Sequence, residues 1–529
     1  MSTGANRIST NNLLLERAVR RHPAATALSP LHLLALLSVV LGALIWGAAS
    51  ILGGQGLQLQ SYLALLGLYG AWSAAFVAAR IRRAKLQLFE IPVYITVLFF
   101  FQFGLAPLRN FIDPTQLDVN LSANGEELVQ ALSYIILGMG AFWMGCELFR
   151  RKGGDRFSAG PPRQSVAPQS QRGRVLLQFG VLYALGLVTR IYLLKNHLYA
   201  YTASMDEYYA NLGSMQVVNV IAEFGTLALI VATIERYRQR YDPLWRILFS
   251  VALSSEILWG LISGQKSSVL QNFLVVALVS SFVMKRLNLR WFVILFFGLV
   301  LLYPISNAYR TVVRVEGTDV SSFGGAAQAG QTAFNKVGEG GSSAGSIRRQ
   351  GLDSALERLD LLTSVAQVLT LGERASMVKG DAQWWMLPIY PFVPRLLWPS
   401  KPILLEAGRF TGALGNGNLE TVGSGTAISY PGDLYLQFGL LGIPVGMFVL
   451  GIVTQWFTNR MSGEVEPREL FIYTAVFILG FSFEADVFLF WTGFIRMLAV
   501  FYVMRLLIYG PRTQHRRPAP SFPVRARRP

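Results

Sequence analysis

A chain of 529 residues that is 52% hydrophobic and only 15% charged does not fit a water-soluble protein, because soluble domains carry roughly a quarter charged residues. Its net charge of +17 arises mainly from Lys and Arg in short segments between apolar runs and in the two tails, as in the cytoplasmic loops of membrane proteins. The charge therefore indicates topology and contact with anionic membrane lipids, and no nucleic acid is expected as a partner. One cysteine excludes an internal disulfide framework, and four scattered histidines predict neither a metal site nor a cofactor.

Apolar segments of about spanning length predict an all-α polytopic integral membrane protein with about 12 transmembrane helices and one large extracytoplasmic loop. The first segment is too long for a cleaved signal peptide, so we expect a retained helix there. Basic clusters outside the large loop fall on one side of this arrangement, which places both termini in the cytoplasm. The predicted segments are 32–53, 60–79, 87–108, 129–149, 175–194, 216–234, 246–262, 268–284, 291–309, 434–457, 469–488 and 489–508.

Three parts follow from this spacing. Residues 1–309 form an N-terminal bundle of about nine helices, 310–433 form the loop, and 434–529 form the last helices and a basic tail. Within the loop, the Gly/Ala/Ser-rich residues 323–346 predict a flexible segment. Leucines near helical spacing in 351–371 predict an amphipathic helix lying at the surface.

Five charged residues interrupt the apolar segments. Such groups are costly in hydrocarbon and usually face the interior of a helix bundle. We therefore expect buried structural pairing for each of them, with catalysis as the alternative. They are Glu90, Arg190, Glu223, Glu256 and Arg496.

The stretch 384–433 differs from the rest of the chain, because it is dense in aromatics, Pro and Gly and carries the cations Arg395, Lys401 and Arg409. It contains Pro394-Arg395, Trp398-Pro399-Ser400-Lys401-Pro402 and, just beyond its end, Tyr435 followed by Phe438-Gly439. In these motifs, and in hydropathy over its whole length, the chain resembles the bacterial oligosaccharide repeat-unit polymerases (Wzy-type O-antigen polymerases). The sharp motifs cover roughly 266–445. A basic residue directly after Ser-Gly is commonly Arg in that family, whereas this chain has Lys266 one residue later.

The resemblance implies a glycosyltransferase in the bacterial cytoplasmic (inner) membrane that builds a surface polysaccharide such as O-antigen, capsule or exopolysaccharide. A growing glycan would leave its undecaprenyl pyrophosphate carrier and join an incoming lipid-linked repeat unit on the outer side of the membrane. The implied partners are this lipid-linked oligosaccharide, membrane lipids, and chain-length regulator and flippase proteins.

Departure of pyrophosphate requires stabilisation of negative charge, which Arg and Lys provide without a metal. Arg395 and Lys401 are therefore the predicted catalytic cations, with Lys266, Arg310, Arg314 and Arg409 in substrate binding. For Arg310 and Arg314 the alternative is interfacial anchoring, and for Lys266 a side chain that reaches the interface from a helix end. Arg395 and Lys401 could instead be held by carbonyls and aromatic faces that fix the loop.

Asp433 is the predicted general base for the acceptor hydroxyl, with Glu406 behind it. Its alternative role is the N-cap of the tenth helix, given Pro-Gly-Asp before an apolar run. Tyr435 and Trp398 complete the predicted substrate site; Trp398 could equally belong to an interfacial aromatic belt.

Two other functions stay open. A ligase-like transferase would attach the glycan to a different acceptor, but the loop 310–433 has no histidine to match the pattern associated with ligases. A flippase or transporter of the same lipid-linked glycan would show interrupted helices or repeat symmetry, and it would not need a large ordered outer loop.

Overall fold

The computed structural model describes residues 57–81, 88–112, 125–150, 169–199, 212–314, 316–338, 359–379, 386, 389–393, 397–398, 401, 406–414, 427–460, 466–480 and 483–510. These ranges contain helices and turns and no strand, so the all-α prediction is confirmed for them.

Seventeen helices are named here in chain order. The first nine are α1 (Leu57–Ile81), α2 (Ile91–Phe99), α3 (Gly125–Phe149), α4 (Gln169–Lys195), α5 (Leu212–Ala222), α6 (Phe224–Arg238), α7 (Pro243–Ile262), α8 (Lys266–Met284) and α9 (Leu289–Arg314). The others are α10 (Phe323–Gly338), α11 (Leu362–Thr370), α12 (Ala375–Val378), α13 (Glu406–Ala413), α14 (Tyr430–Phe438), α15 (Gly442–Arg460), α16 (Pro467–Leu479) and α17 (Val487–Tyr509). Helix α2 continues through a π-helical turn (Phe100–Leu105), a 3-10 turn (Ala106–Leu108) and a last α-helical turn (Arg109–Ile112).

Among the described residues, eight helices are long and apolar enough to cross a membrane, which supports a polytopic membrane protein. Each coincides with one of the predicted segments. The eight are Gln58–Ile81, Ile91–Leu108, Gly125–Phe149, Arg172–Lys195, Val217–Arg238, Pro243–Ile262, Ser267–Met284 and Val487–Tyr509. Helix α9 covers the predicted segment 291–309, and 32–53 lies outside the described residues. The total of about twelve crossings and the sidedness stay predictions.

Two predicted helices have the wrong boundaries. The segment 434–457 is divided, because α14 ends at Gly439, whose φ of 66° is left-handed, and α15 begins at Gly442. The segment 469–488 ends early, since α16 stops at Leu479 and Asp486 caps the start of α17. A buried carboxylate that caps a helix lies outside it, so the junction falls before Val487 rather than at 488–489.

Two predictions within the loop 310–433 are also wrong. Residues 323–338 of the segment expected to be flexible form helix α10, whose Ala326, Ala329 and Ala333 are buried. The expected surface helix over 351–371 is described only from residue 359, and there α11 lies in the core between α3 and α14. Leu362, at 0% exposure, belongs to the largest hydrophobic cluster, because α3 and α14 cover the apolar face of α11.

The tightest helix pair is α3 with α15, where small residues let the backbones approach. A side chain at Gly145 would meet the Phe448 carbonyl oxygen at 2.4 Å, and one at Gly451 would meet the Phe142 carbonyl oxygen at 2.2 Å. The free thiol of Cys146 is buried in the same contact. This pair supports α14, which lies at the start of α15 and positions the site described next.

Candidate functional site

Two buried carboxylates meet at the start of α17. Asp433, on α14, is fully buried; its Oδ2 accepts a hydrogen bond from the Val487 amide (2.8 Å) and its Oδ1 one from the Gln437 side chain (3.0 Å). Asp486 is the N-cap of α17, and its Oδ1 accepts from the Leu489 amide (2.7 Å). Both carboxylates therefore use amide donors of one helical turn, where the helix dipole favours negative charge. We call Asp433 and Asp486 the carboxylate pair.

Asp433 is not the N-cap of its own helix. Ser429 has that role, since its hydroxyl oxygen accepts from the Gly432 amide. Asp433 instead stabilises the start of a helix that follows it by more than fifty residues. This placement does not test the predicted role of Asp433 as a base. It does show that Asp433 accepts from the start of α17 and does not cap its own helix.

Asp486 is the residue that the sequence analysis missed. It is 2% exposed, and its Oδ2 has no hydrogen-bond partner among the described residues. An aspartate immediately before a long apolar run is an N-cap signal that could have located it. Its proximity to Asp433 could not be found that way, because the two residues are joined only by the fold.

The carboxylate pair favours retention of a proton. Burial, and to a smaller extent the negative charge of Asp433, raises the pKa of Asp486 to about 7, although the Leu489 amide hydrogen bond opposes the rise. A carboxyl group that titrates near neutral pH exchanges protons readily under physiological conditions. The pair is therefore suited chemically to acid–base catalysis.

Backbone strain occurs beside the pair. Ser429 is fully buried and has φ 69°, a conformation that residues other than glycine rarely adopt. Such strain costs on the order of 1–3 kcal/mol and persists only where neighbouring structure holds it. Here the next amide, of Tyr430, donates to the Phe483 carbonyl (3.0 Å), which ties the start of α14 to the turn before α17.

The described part of the aromatic stretch lies against the same helix start. The Lys401 ammonium is buried and donates to the carbonyl oxygens of Tyr390 (2.7 Å) and Val393 (3.1 Å). Trp398 stacks on the Tyr390 ring, with centroids 5.6 Å apart, and Tyr390 also packs against Phe488 on α17 (5.8 Å). The ammonium thus has the loop-fixing contacts proposed as its alternative role. Tyr390, which the sequence did not single out, contacts both Lys401 and Trp398 in this loop.

Two further predicted residues flank this region. The Tyr435 ring stacks on Tyr134 of α3, with centroids 5.9 Å apart. Arg409, on α13, donates to the Lys379 carbonyl at 3.4 Å. Arg395 lies outside the described residues, as does the side chain of Glu406. The predicted closeness of Arg310 and Arg395 therefore stays a prediction.

Arg310 belongs to a second group, at the turn between α7 and α8. The Gly264 carbonyl accepts from Arg310 Nε (2.9 Å) and from the Ser306 hydroxyl (2.9 Å). Tyr309 donates to the Ile262 carbonyl (3.1 Å), so three residues of α9 hold this turn. Lys266 is the first residue of α8, which brings its backbone beside Arg310. The side chains of Lys266 and Arg314 lie outside the described set.

An apolar cavity of about 290 Å³ adjoins this turn. Helices α7, α9 and α10 form its walls, and Ser306 and Gln265 are at its polar edge. Its apolar lining includes Leu258, Ile262, Ile305, Phe323, Ala326 and Phe334. A space of this kind accepts hydrocarbon and has a cation, Arg310, close to one side.

The expected pairing of charges inside the apolar segments is confirmed for three of the five residues. Arg190 and Glu256 form a buried bidentate ion pair, with Arg190 NH2 3.0 Å from Glu256 Oε2. Glu90 accepts from Arg80 (2.7 Å), which is 1% exposed. Gly225 makes room for the first pair, because a side chain there would meet Glu256 and Arg190.

Among the residues that the structure describes, no group of three His, Cys, Asp or Glu side chains could hold a metal ion. A family model whose description is "Domain of unknown function (DUF8712)" matches residues 184–508, which is more than half of the chain. The matched range begins within α4. It includes the carboxylate pair, the cations Lys401 and Arg409, and Arg310 with Lys266. No solved structure matches the chain.

Proposed function

We propose that this chain, which belongs to the DUF8712 family, is a membrane glycosyltransferase that polymerises lipid-linked oligosaccharide repeat units. The observation that carries the proposal is the buried pair of Asp433 and Asp486, one of which titrates near neutral pH. A carboxylate that can accept a proton at that pH suits glycosyl transfer to a hydroxyl group. The motifs of residues 394–402 and 435–439 supply the family resemblance that suggests the substrate.

In the proposed reaction, a hydroxyl oxygen of the incoming repeat unit attacks the anomeric carbon of the growing chain. The bond from that carbon to the pyrophosphate oxygen breaks, and the electron pair leaves with undecaprenyl pyrophosphate. The hydroxyl proton passes to Asp433. Asp486 accepts or returns this proton, because its pKa is close to the working pH.

Charge on the leaving pyrophosphate is assigned to the guanidinium groups of Arg395, Arg409, Arg310 and Arg314, together with Lys266. Arginine suits this task because it makes bidentate hydrogen bonds to phosphate oxygens. Lys401 takes a positioning role, since its ammonium already donates to two carbonyls of the loop. Trp398 and Tyr435 are proposed to contact the glycan.

The apolar cavity beside Arg310 supports a carrier with a long hydrocarbon chain. Hydrocarbon would fill the 290 Å³ between α7, α9 and α10, and the phosphates would lie near Arg310. We place the protein in the bacterial cytoplasmic membrane, with the carboxylate pair on the outer side. Chain-length regulators and flippases are the proposed protein partners.

Asp433→Asn tests the proposal in a bacterium that lacks its own copy of the gene. We expect long surface glycan to fall by about 10²- to 10⁴-fold, as for loss of a general base, and single-repeat product to remain on gels. Glu126→Gln, at an exposed acid of α3, is the matched control and should leave chain lengths unchanged. Normal long chains in the Asp433→Asn strain would exclude this assignment.

A transporter of the lipid-linked glycan is the second candidate. The apolar span Val217–Arg238 is interrupted at Glu223, between α5 and α6, and transporter sites often use interrupted helices. The same gels separate the candidates, because loss of all surface glycan, including the single repeat, indicates a flippase or a ligase-like transferase.

A further inference from the structure

A second cavity, of about 250 Å³, lies near Asp486, among α5, the end of α16 and α17. Its lining includes Ala485 and Leu489, which flank Asp486 in the chain and place the cavity next to that carboxyl group. Two of its lining residues are Glu223 and Arg496, for which the sequence predicts buried structural pairing. The cavity gives these two side chains a shared surface that the proposed reaction has not used.

One wall of this cavity is polar. Glu223, at the interruption between α5 and α6, lines it together with Asn219 one turn earlier, and Arg496 lines it from α17. Both charged residues are partly exposed within an otherwise apolar bundle. Thr226 lies behind Glu223, with its hydroxyl 3.4 Å from Glu223 Oε2 and 3.1 Å from Glu256 Oε2. This contact connects the Glu223 carboxylate to the buried Arg190–Glu256 pair.

Helix α17 also lines this cavity with aromatic rings. Phe490 and Phe494 line it with nearly parallel rings, 2° apart in orientation and 6.3 Å between centroids. Gly493 lies between them, and a side chain at that position would meet no described atom within 4 Å. Aromatic rings together with hydrogen-bonding groups suit a pyranose ring, because one ring face is C–H and the edge carries hydroxyls.

The size of the cavity favours one ring. At about 30 Å³ for each liquid water molecule, 250 Å³ corresponds to roughly eight waters. Pockets for larger, drug-sized ligands begin at about 300 Å³. A lipid tail is disfavoured for a different reason, since hydrocarbon would lie against the charged side chains of Glu223 and Arg496.

We infer that this cavity is a subsite for a single hexopyranose residue, with hydroxyl groups bound by Glu223, Asn219 and Arg496 and the ring face against Phe490 and Phe494. The inference rests on the proposed function and names a sugar-binding residue set for it. The bound ring would present a hydroxyl group toward Asp486, so it belongs to the acceptor repeat unit.

Saturation-transfer NMR of the full chain in lipid nanodiscs tests binding directly. The probes are methyl glycosides of glucose, galactose, N-acetylglucosamine and glucuronic acid, each added in millimolar amounts. We expect saturation transfer to at least one probe. In Gly493→Leu the new side chain occupies the cavity, so the apparent affinity for that probe should fall by about tenfold or more. Gly180→Leu is the matched control, because Gly180 is an exposed helical glycine that also has open space around it.

Glu223→Gln is the second variant, since it keeps the shape of the side chain and removes its charge. Loss of a charge-assisted hydrogen bond should weaken binding of the same probe by about tenfold. Absence of saturation transfer to every probe in the unchanged chain would overturn the inference. Equal transfer in the unchanged chain, in Gly493→Leu and in Glu223→Gln would also overturn it.

Glycan gels separate this inference from the proposed function. If Asp433→Asn abolishes chain lengthening while no probe binds, the polymerase proposal stands and the subsite fails. If a probe binds and Gly493→Leu blocks it, but Asp433→Asn retains long chains, the cavity binds sugar and the polymerase proposal fails. When both hold, Gly493→Leu should yield mainly single-repeat product and Gly180→Leu normal chains.

Discussion

Two buried acid sites in this bundle contrast in the charge of their neighbours. Glu256 faces Arg190 in a bidentate ion pair, and Thr226 contacts the same carboxylate. Asp486 faces a second carboxylate, Asp433, and one of its oxygens has no hydrogen bond within the described residues. Opposite charges neutralise each other and favour a permanent structural contact, whereas two acids in one site favour exchange of a proton.

This difference in neighbouring charge separates an acid with a structural role from an acid suited to proton transfer. Both sites are nearly inaccessible to solvent, so burial by itself does not identify function. The charge of the neighbouring group and the presence of an oxygen without a hydrogen bond indicate function instead. On this basis we propose chemistry at the start of α17 and structural support at Arg190 and Glu256.

The largest expected effect on stability is at the ion pair. Glu256→Ala leaves the Arg190 guanidinium buried without its carboxylate, which should lower the free energy of unfolding by about 3–5 kcal/mol. Thermal unfolding of the purified protein in detergent, followed by tryptophan fluorescence, measures the loss. The double variant Arg190→Met/Glu256→Met should recover most of it, because no unpaired charge remains. A single variant as stable as the unchanged chain would remove the contrast between the two sites.

A pH-dependent effect of intermediate size is expected at Asp486. Its pKa is raised from 3.8 to about 7 on folding, so the folded state binds the proton more tightly. This contribution to stability is fully present below the unfolded pKa and is lost as the pH rises through about 7. Asp486→Asn keeps an N-cap side chain and cannot titrate.

Unfolding temperatures measured from pH 4 to pH 8 check this expectation. The unchanged chain should lose stability relative to Asp486→Asn as the pH rises across that range, with the variant more stable above neutrality. Asp242→Asn, at the N-cap of α7 where the carboxylate faces Arg172, is the comparison variant and should not show this trend. Parallel pH profiles for the unchanged chain and Asp486→Asn would contradict the assignment of the titrating group.

The smallest expected effect is at Lys401, a buried cation that donates to two carbonyl oxygens of its loop. Lys401→Met removes its bonds to Tyr390 and Val393 and should destabilise the loop by about 1–3 kcal/mol. Hydrogen exchange over residues 389–401 is the readout, and faster exchange confined to that loop is the expected result. Arg409→Met is the control, since its 3.4 Å contact predicts little change there. Unaltered exchange in Lys401→Met would return Lys401 to the predicted pyrophosphate site.

Much of the helical architecture could be predicted because long apolar segments in lipid must form helices. The paired charges were also predictable, since a charge in hydrocarbon needs a partner, and Arg190 with Glu256 met that expectation. The break at Gly439 was missed although its glycine C-cap is local, and the turn before Asp486 was missed because it depends on a contact with distant Asp433. Helix α11 was misplaced at the surface for the same reason, as α3 and α14 bury it.

The sequence by itself determined that the chain is helical, enters a membrane and carries its unusual aromatic and basic stretch between residues 384 and 433. Composition and hydropathy decide these properties, and both are local. Only the tertiary structure decided that Asp433 meets Asp486, that Lys401 points into its own loop, and that Glu223 and Arg496 share a cavity. Such pairings join residues tens to hundreds of positions apart, and close packing of the helices is what brings them within contact.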